Sequence, residues 1–323
     1  MHANDYARAA VSIAENDGSA ELVAIADEDE ARGEAKYREF GAKNLFTDYR
    51  KMLEGNLVDA VIIASENSRH LEHVTASAEA GKHIICEKPV CISESEIETM
   101  RSSVKSKTGR VFFQTAFVMR YDATVLEVKR KLDSGTLGAI RAISATNHGK
   151  FPGGWFGDKE LAGGGAIMDH TVHAADLVRF FTADEFACVR AYQGKNIRRE
   201  IGVEDNAMLY ANLKRSGAPV SIDCSWSRLE SWPVWGDVTM EIVCEKGLVK
   251  LDCFRPHINV GAAGKFSWHG LGEDLSEKMI RAFCQAIEAK AEPHASFEDG
   301  AKASLLALAA YRSVADGNQP VNL

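Results

Sequence analysis

Short apolar runs alternate with charged, alanine-rich stretches through the first 115 residues, and this rhythm admits few architectures. Glu21-Leu22-Val23-Ala24-Ile25-Ala26-Asp27 reads as a strand ending in an acid. Glu28 to Phe40 is rich in Ala, Glu, Arg and Lys, which favours a helix, and Gly41 supplies its stop. Val58 to Ala64 is the next strand, and Ser68 to Ala80 the next helix, closed by Gly81. The run His83-Ile84-Ile85-Cys86, a helix from Ser93 to Lys107 and a strand from Arg110 to Thr115 complete the series. Short apolar strands separated by amphipathic helices predict a parallel, doubly wound α/β sheet.

Glu87-Lys88-Pro89 follows the His83–Cys86 run. Pro89 has no N–H to donate and stops the ladder, which leaves an ammonium group at the carboxyl end of a strand. Ligands of open α/β sheets bind at that edge. A lysine desolvated there can exchange protons near neutral pH, whereas a solvated one is only a surface charge at a strand exit.

The pattern changes near Arg120, which predicts two domains, 1–118 and 119–323. After a helix from Asp122 to Ser134 come β-rich segments: Ile140 to Asn147, Phe186 to Gln193, Ala207 to Leu213, Val220 to Trp226, Asp237 to Val243 and Leu248 to Cys253. Turn signals at Ser216-Gly217 and Lys246-Gly247 predict a large, mostly antiparallel open sheet, an α+β arrangement. Helical stretches at Glu273 to Ala289 and Ala301 to Ala315 close the chain and are expected to pack back on the first domain.

A dinucleotide-binding (Rossmann) sheet opens with a strand and a glycine-rich turn that brings pyrophosphate to a helix N-terminus. Here Met1-His2-Ala3 runs straight into a helical stretch, Asn4 to Asn16. The expected sheet therefore lacks its first strand and glycine loop, on the order of a dozen residues. Two accounts stand: Met1 is an internal methionine with the true start upstream, or the domain has lost its cofactor.

The most specific stretch is Gly163-Gly164-Gly165-Ala166-Ile167-Met168-Asp169-His170-Thr171-Val172-His173-Ala174-Ala175-Asp176. Three glycines allow a tight turn or close backbone approach before a helix. On that helix Asp169, His173 and Asp176 fall on one face. An aspartate and a histidine one turn apart can form a proton relay; the alternative is a capping Asp169 above a core histidine. No further ligand completes a metal site, so none is expected.

Bulk properties exclude other classes. A net charge of −8 argues against nucleic acid or an anionic membrane as partner. Seven scattered cysteines without a C-x-x-C pair fit reduced thiols, and no 18-residue apolar run or signal pattern appears, so a cytoplasmic protein is expected.

The Glu87-Lys88-Pro89 turn, followed by Gly163-Gly164-Gly165, Asp169, His173 and Asp176 in their spacing, resembles the Gfo/Idh/MocA oxidoreductases. That family includes glucose–fructose oxidoreductase and inositol 2-dehydrogenase, and the similarity runs from Ala3 to the last helices. The resemblance implies that Lys88, Asp169 and His173 are catalytic, with Asp169 orienting His173 or binding a neighbouring hydroxyl. It further implies that Asp27, Ser65, Asn67, His70, Glu87 and Lys88 face the cofactor. Asp27 favours NAD, with NADP the alternative. Ser65-Glu66-Asn67-Ser68-Arg69-His70 departs from the family pattern at Glu66, which replaces a proline. Substrate contacts are expected from Asp169, His173 and His148, from Trp155 unless it only packs, and from Arg120 unless it only braces the domain interface, while Trp226, Trp232 and Trp235 read as one packing cluster. The implied activity is NAD(P)-dependent oxidation of a secondary alcohol on a sugar, polyol or inositol by a homodimer or homotetramer. An NAD-dependent glycoside hydrolase and a non-catalytic sensor are the alternatives.

Overall fold

The computed structural model describes residues 2–105, 111–255, 257–262 and 264–323. Met1, the expected helix end at Lys107 and the expected strand start at Arg110 lie outside the described residues. In chain order, the first elements are α1 (His2–Asn16), β1 (Ala24–Ala26), α2 (Glu30–Phe40), β2 (Asn44–Phe46) and α3 (Tyr49–Leu53). They are followed by β3 (Ala60–Ile63), α4 (His70–Glu79), β4 (His83–Cys86), α5 (Glu94–Val104) and β5 (Phe113–Thr115). Local chemistry sets the boundaries. Asp29 caps α2 by accepting from Arg32 N, and Gly41 ends it at φ 64°, a left-handed conformation that glycine adopts without steric cost.

All ladders in this part are parallel. Among the described residues they form two sheets, β1–β2 and β3–β4–β5, with no ladder joining β1 to β3. Among the described residues the parallel part of the fold therefore consists of two separate small sheets. Helices α1 and α9 (Leu275–Glu288) pack together through Tyr6, Ala9, Ile13, Met279, Ile280 and Phe283. Helix α10 (Phe297–Ala315) sends Phe297 and Ala301 into the core around β3 and β4. Both C-terminal helices therefore brace the first part of the chain.

The second part holds α6 (Ala123–Asp133), β6 (Ile140–Gly149), α7 (Lys159–Ala162), α8 (Ala166–Thr182), β7 (Phe186–Gln193), β8 (Asn206–Leu213) and β9 (Pro219–Ser225). Strands β10 (Gly236–Cys244), β11 (Gly247–Asp252), β12 (His257–Ala262), β13 (Lys265–Gly270) and β14 (Val321–Asn322) follow. Among the described residues one sheet has the order β11-β10-β6-β9-β8-β7-β14, antiparallel except for the β6–β9 pair. The hairpin β12–β13 was not expected from sequence; Gly261 and Gly264 weaken its β signal.

Strict alternation of burial along β8 shows that one face of this sheet is covered and the other open. Helix α8 fills the covered face: Ile167, Met168, Val172, Leu177 and Val178 pack against Ile143, Leu209, Ile222 and Ile242, with Leu306 and Ala310 of α10 alongside. A helix buried on nearly every side has no solvent face to spend, so its polar residues must meet partners inside the protein.

Candidate active site

Each glycine of the triplet is held by a close approach. A Cβ at Gly163 would overlap Ile92, at Gly164 the Tyr311 ring and hydroxyl, and at Gly165 the Glu204 carbonyl. The buried Glu204 carboxylate accepts from Gly165 N (3.1 Å), Ile167 N (2.9 Å) and the Tyr311 hydroxyl (2.7 Å). A carboxylate on the first amides of α8 complements the helix dipole and satisfies otherwise orphaned donors. The triplet therefore docks the start of α8, which sets the rotation of Asp169 and His173.

Lys88 leaves β4 at its carboxyl end, where Glu87 N donates to Ile63 O at 2.9 Å. The Lys88–Pro89 peptide is cis, and Pro89 O lies 2.9 Å from His70 Nδ1. Glu87 accepts from Lys88 N at 3.0 Å and from the Tyr6 hydroxyl of α1. Burial, then the Glu87 charge, pushes the Tyr6 phenol well above its usual pKa, so Tyr6 stays a donor.

From this turn Lys88 Nζ reaches Asp169 Oδ1 at 2.6 Å, with both side chains buried. It also lies 3.4 Å from Asp169 O, the carbonyl one helical turn before His173. Burial alone would raise the Asp169 pKa, but the Lys88 ammonium and His170 outweigh it and hold the carboxyl well below its usual range. His173 is pushed well below the ordinary imidazole value by burial and then by Lys88; His2, at the start of α1, acts in the same direction. The Phe117 ring flanks it at 6.3 Å. The result is a fixed cation beside an uncharged imidazole, one helical turn beyond an ionised carboxylate.

Several expected residues sit elsewhere or act differently. Asp169 does not hydrogen bond His173 among the described contacts; its oxygens go to Lys88 and to Trp226 Nε1 (3.0 Å), with His170 Nε2 at 3.2 Å from Oδ2. Arg120 is not free to meet a substrate. Its guanidinium is buried on Asp176 (2.8 and 2.5 Å) and His294 O (2.5 Å), with Asp299 at 3.3 Å. His148 alternates with the buried Asn147 on β6, so it faces the open side of the sheet, opposite α8. There it pairs with Asp237 (2.9 Å) and Asp223 (3.2 Å), which overcome its burial and lift its pKa to about 9.

Toward the strand edges, Asp27 holds Arg32 through Nε (2.6 Å) and Nη2 (2.7 Å). Ser65 Oγ lies 2.9 Å from His73 Nδ1, and Asn67 donates to Ala162 O at 2.8 Å, tying α7 to the end of β3. His70 has no exposed surface and supports the Lys88–Pro89 turn from behind. Trp155 is half-buried and stacks on Phe156 at 3.9 Å.

The three tryptophans do not form one cluster. Trp226 is fully buried on Asp169, Trp235 lies against His170 (5.1 Å), and Trp232 is exposed beneath Arg228. Sequence reasoning missed Trp226, His170, Tyr6 and Glu204. Strand parity carried a signal for the first: Ile222, Cys224 and Trp226 alternate onto the α8 side.

Comparisons with known proteins identify the family. Residues 4–115 match the family described as "Oxidoreductase family, NAD-binding Rossmann fold", and residues 125–250 match the "GFO/IDH/MocA C-terminal domain". The chain is 27% identical to the myo-inositol 2-dehydrogenase of Thermotoga maritima, over 91% of this chain and 88% of that one. It is 27% identical to the scyllo-inositol 2-dehydrogenase (NAD(+)) of Bacillus subtilis, over 84% and 78% respectively. A solved levoglucosan dehydrogenase in complex with NADH and levoglucosan superposes with a TM-score of 0.84 at 24% identity, covering 99% of this chain and 95% of that one. At that identity the likeness speaks for the fold.

Proposed function

Because the chain belongs to the Gfo/Idh/MocA oxidoreductase family, we propose that it is an NAD-dependent dehydrogenase of a secondary alcohol on a sugar, polyol or inositol. The observation that carries this reading is the convergence of a buried Lys88 ammonium, paired to Asp169, with an uncharged His173. Oxidation of an alcohol needs a base for the hydroxyl proton and a positive group beside the developing alkoxide. Partly buried His173 is the acceptor because desolvation and the Lys88 charge keep it neutral, and Lys88 Nζ polarises the oxygen because the ionised Asp169 balances its charge.

Short of the glycine turn, the residues present fit the ribose and nicotinamide ends of a dinucleotide. The carboxyl edges of β1, β3 and β4 carry Asp27, Ser65-Glu66-Asn67 and Glu87-Lys88, and α1 begins close enough for His2 to act on His173. Asp27 would hold the adenosine ribose, Ser65 and Asn67 would line the path between, and Glu87 and Lys88 would flank the nicotinamide. When bound, the dinucleotide supplies the hydride acceptor. Arg32, already paired to Asp27, is the group that a 2′-phosphate would recruit, so NADP belongs in the test. Trp155 offers an aromatic face to the sugar.

Inositol dehydrogenases among the relatives support the substrate class. We extend the reading to a homodimer or homotetramer, because Tyr192, Tyr210 and Met208 remain exposed on the open sheet face, and to the cytoplasm, because the seven cysteines are free thiols. None of the described helices is long and apolar enough to cross a membrane. The test is a panel of polyols and sugars with NAD or NADP, read by nicotinamide absorbance, with light scattering for assembly. Lys88→Ala and His173→Ala each lose roughly 10²–10⁴-fold in turnover. Near-normal turnover in both variants ends the assignment, and sugar release without net reduction would replace it with redox-assisted hydrolysis.

A further inference from the structure

We infer that Trp226 is a positioning residue for the Lys88–Asp169 pair and couples it to the aromatic segment that starts at Phe151; the inference deepens the dehydrogenase reading and rests on it. Each Asp169 oxygen has its own donor: Oδ1 takes Lys88 Nζ at 2.6 Å, and Oδ2 takes Trp226 Nε1 at 3.0 Å. A carboxylate gripped at both oxygens cannot rotate about its last bond, so the ammonium it holds is aimed as well.

The indole is itself pinned. Its ring has no exposed surface, its amide donates to Asp205 O at 2.8 Å, and its carbonyl accepts from Arg198 Nη1. The Phe151 ring lies 5.1 Å away, and the Arg198 guanidinium sits 5.6 Å over that same ring. Phe151 opens the segment that carries Trp155, so a shift there on sugar binding reaches Asp169 through one indole. His170 is the other group beside Oδ2; its Nε2 lies 3.2 Å away but outside hydrogen-bond geometry, and its Nδ1 pairs with Asn147 O at 2.8 Å.

Trp226→Phe keeps the packing ring and deletes only the donor. The first readout is Lys88 itself: reductive methylation with formaldehyde, followed by mass analysis of the peptide that carries it. With the carboxylate loosened, Lys88 labels several-fold faster in Trp226→Phe than in the unaltered chain, while Trp232→Phe matches the unaltered chain. Asp169→Asn raises labelling alone, and adding Trp226→Phe to it changes nothing further. Equal labelling in Trp226→Phe and the unaltered chain overturns the inference. So does a further rise in the Asp169→Asn background, since packing alone would then explain the effect.

A second measurement leaves Trp226 in place, in case its replacement does not fold. In ¹⁵N-tryptophan-labelled protein, Asp169→Asn moves the Trp226 indole N–H resonance upfield and leaves that of Trp232 in place; no movement overturns the inference. Neither readout needs dinucleotide or sugar. Failure of the dehydrogenase reading appears as absent turnover with both patterns intact, whereas failure of this inference appears as flat patterns whatever the turnover. In the active protein, Trp226→Phe lowers kcat roughly 10-fold with KM little changed, the worth of one hydrogen bond to a charged group.

Discussion

Lys88 and Asp169 are 81 residues apart in sequence, yet their charged atoms meet at 2.6 Å with both side chains buried. One arrives on the turn after a parallel strand and the other on a helix lying beneath a different sheet. The pair therefore joins the two parts of the chain at the point where the proposed chemistry happens.

Breaking this pair by halves is costly, because it leaves a buried charge without its counter-ion. Lys88→Met and Asp169→Leu should each destabilise the protein by about 3–5 kcal/mol, and the double variant should cost clearly less than their sum. Urea unfolding of the three variants checks this. A simple sum would show that the two charges are solvated independently.

His148 gives a pH dependence with a definite sign. Its folded pKa, about 9, lies above the ordinary imidazole value of about 6.5 because Asp223 and Asp237 favour the cation. Its contribution to stability is fully present below about pH 6.5 and is lost as pH rises toward about 9. Urea midpoints should therefore fall between these limits more steeply in the unaltered chain than in His148→Gln. Equal slopes would remove the His148 cluster as their cause.

His173 has the opposite sign. Its pKa is depressed on folding by burial and by Lys88, so its contribution is present above the unfolded imidazole value and is lost as pH falls. Relative to His173→Gln, the unaltered chain should lose stability more steeply below about pH 6.5. In the active protein, kcat/KM should show no imidazole step near that value.

Arg120 acts through structure. Its guanidinium bridges Asp176, His294 O and Asp299, and Phe180 lies 5.0 Å beneath it. Arg120→Met should cost about 3–5 kcal/mol by stranding the Asp176 carboxylate. KM for the sugar should stay unchanged in the folded fraction; a large rise in KM would return Arg120 to the substrate site.

Gly164→Ala pushes a methyl group into Tyr311, whose hydroxyl donates to Glu204 at 2.7 Å. A loss of about 1–3 kcal/mol is expected. Tyr311→Ala, which clears the space, should make the added methyl nearly neutral. Calorimetry on the two single variants and the double settles it.

Periodicity determined a good deal. Helices α1, α2, α4 and α5, the long strands of the open sheet and their turns were legible because burial on one face imposes a repeat that neighbouring residues carry, whereas the three-residue β2 was too short to show one. The local order of Glu87-Lys88-Pro89 and of the glycine triplet marked the two places where chemistry would sit. What periodicity could not carry was the pairing of side chains distant in sequence. Asp169 and His173 share a helix face, which suggested that the acid serves the imidazole, but the carboxylate turns to Lys88 and Trp226 instead. Arg120 lies at the boundary between the domains, where sequence leaves a cleft role and a bracing role both open, and His148 is grouped with it. Strand parity put His148 on the far side of its sheet, and Asp176 drew Arg120 inward. A polar group buried during folding goes to whichever partner the packed helices and strands bring within about 3 Å, and that choice exists only once the whole chain has closed.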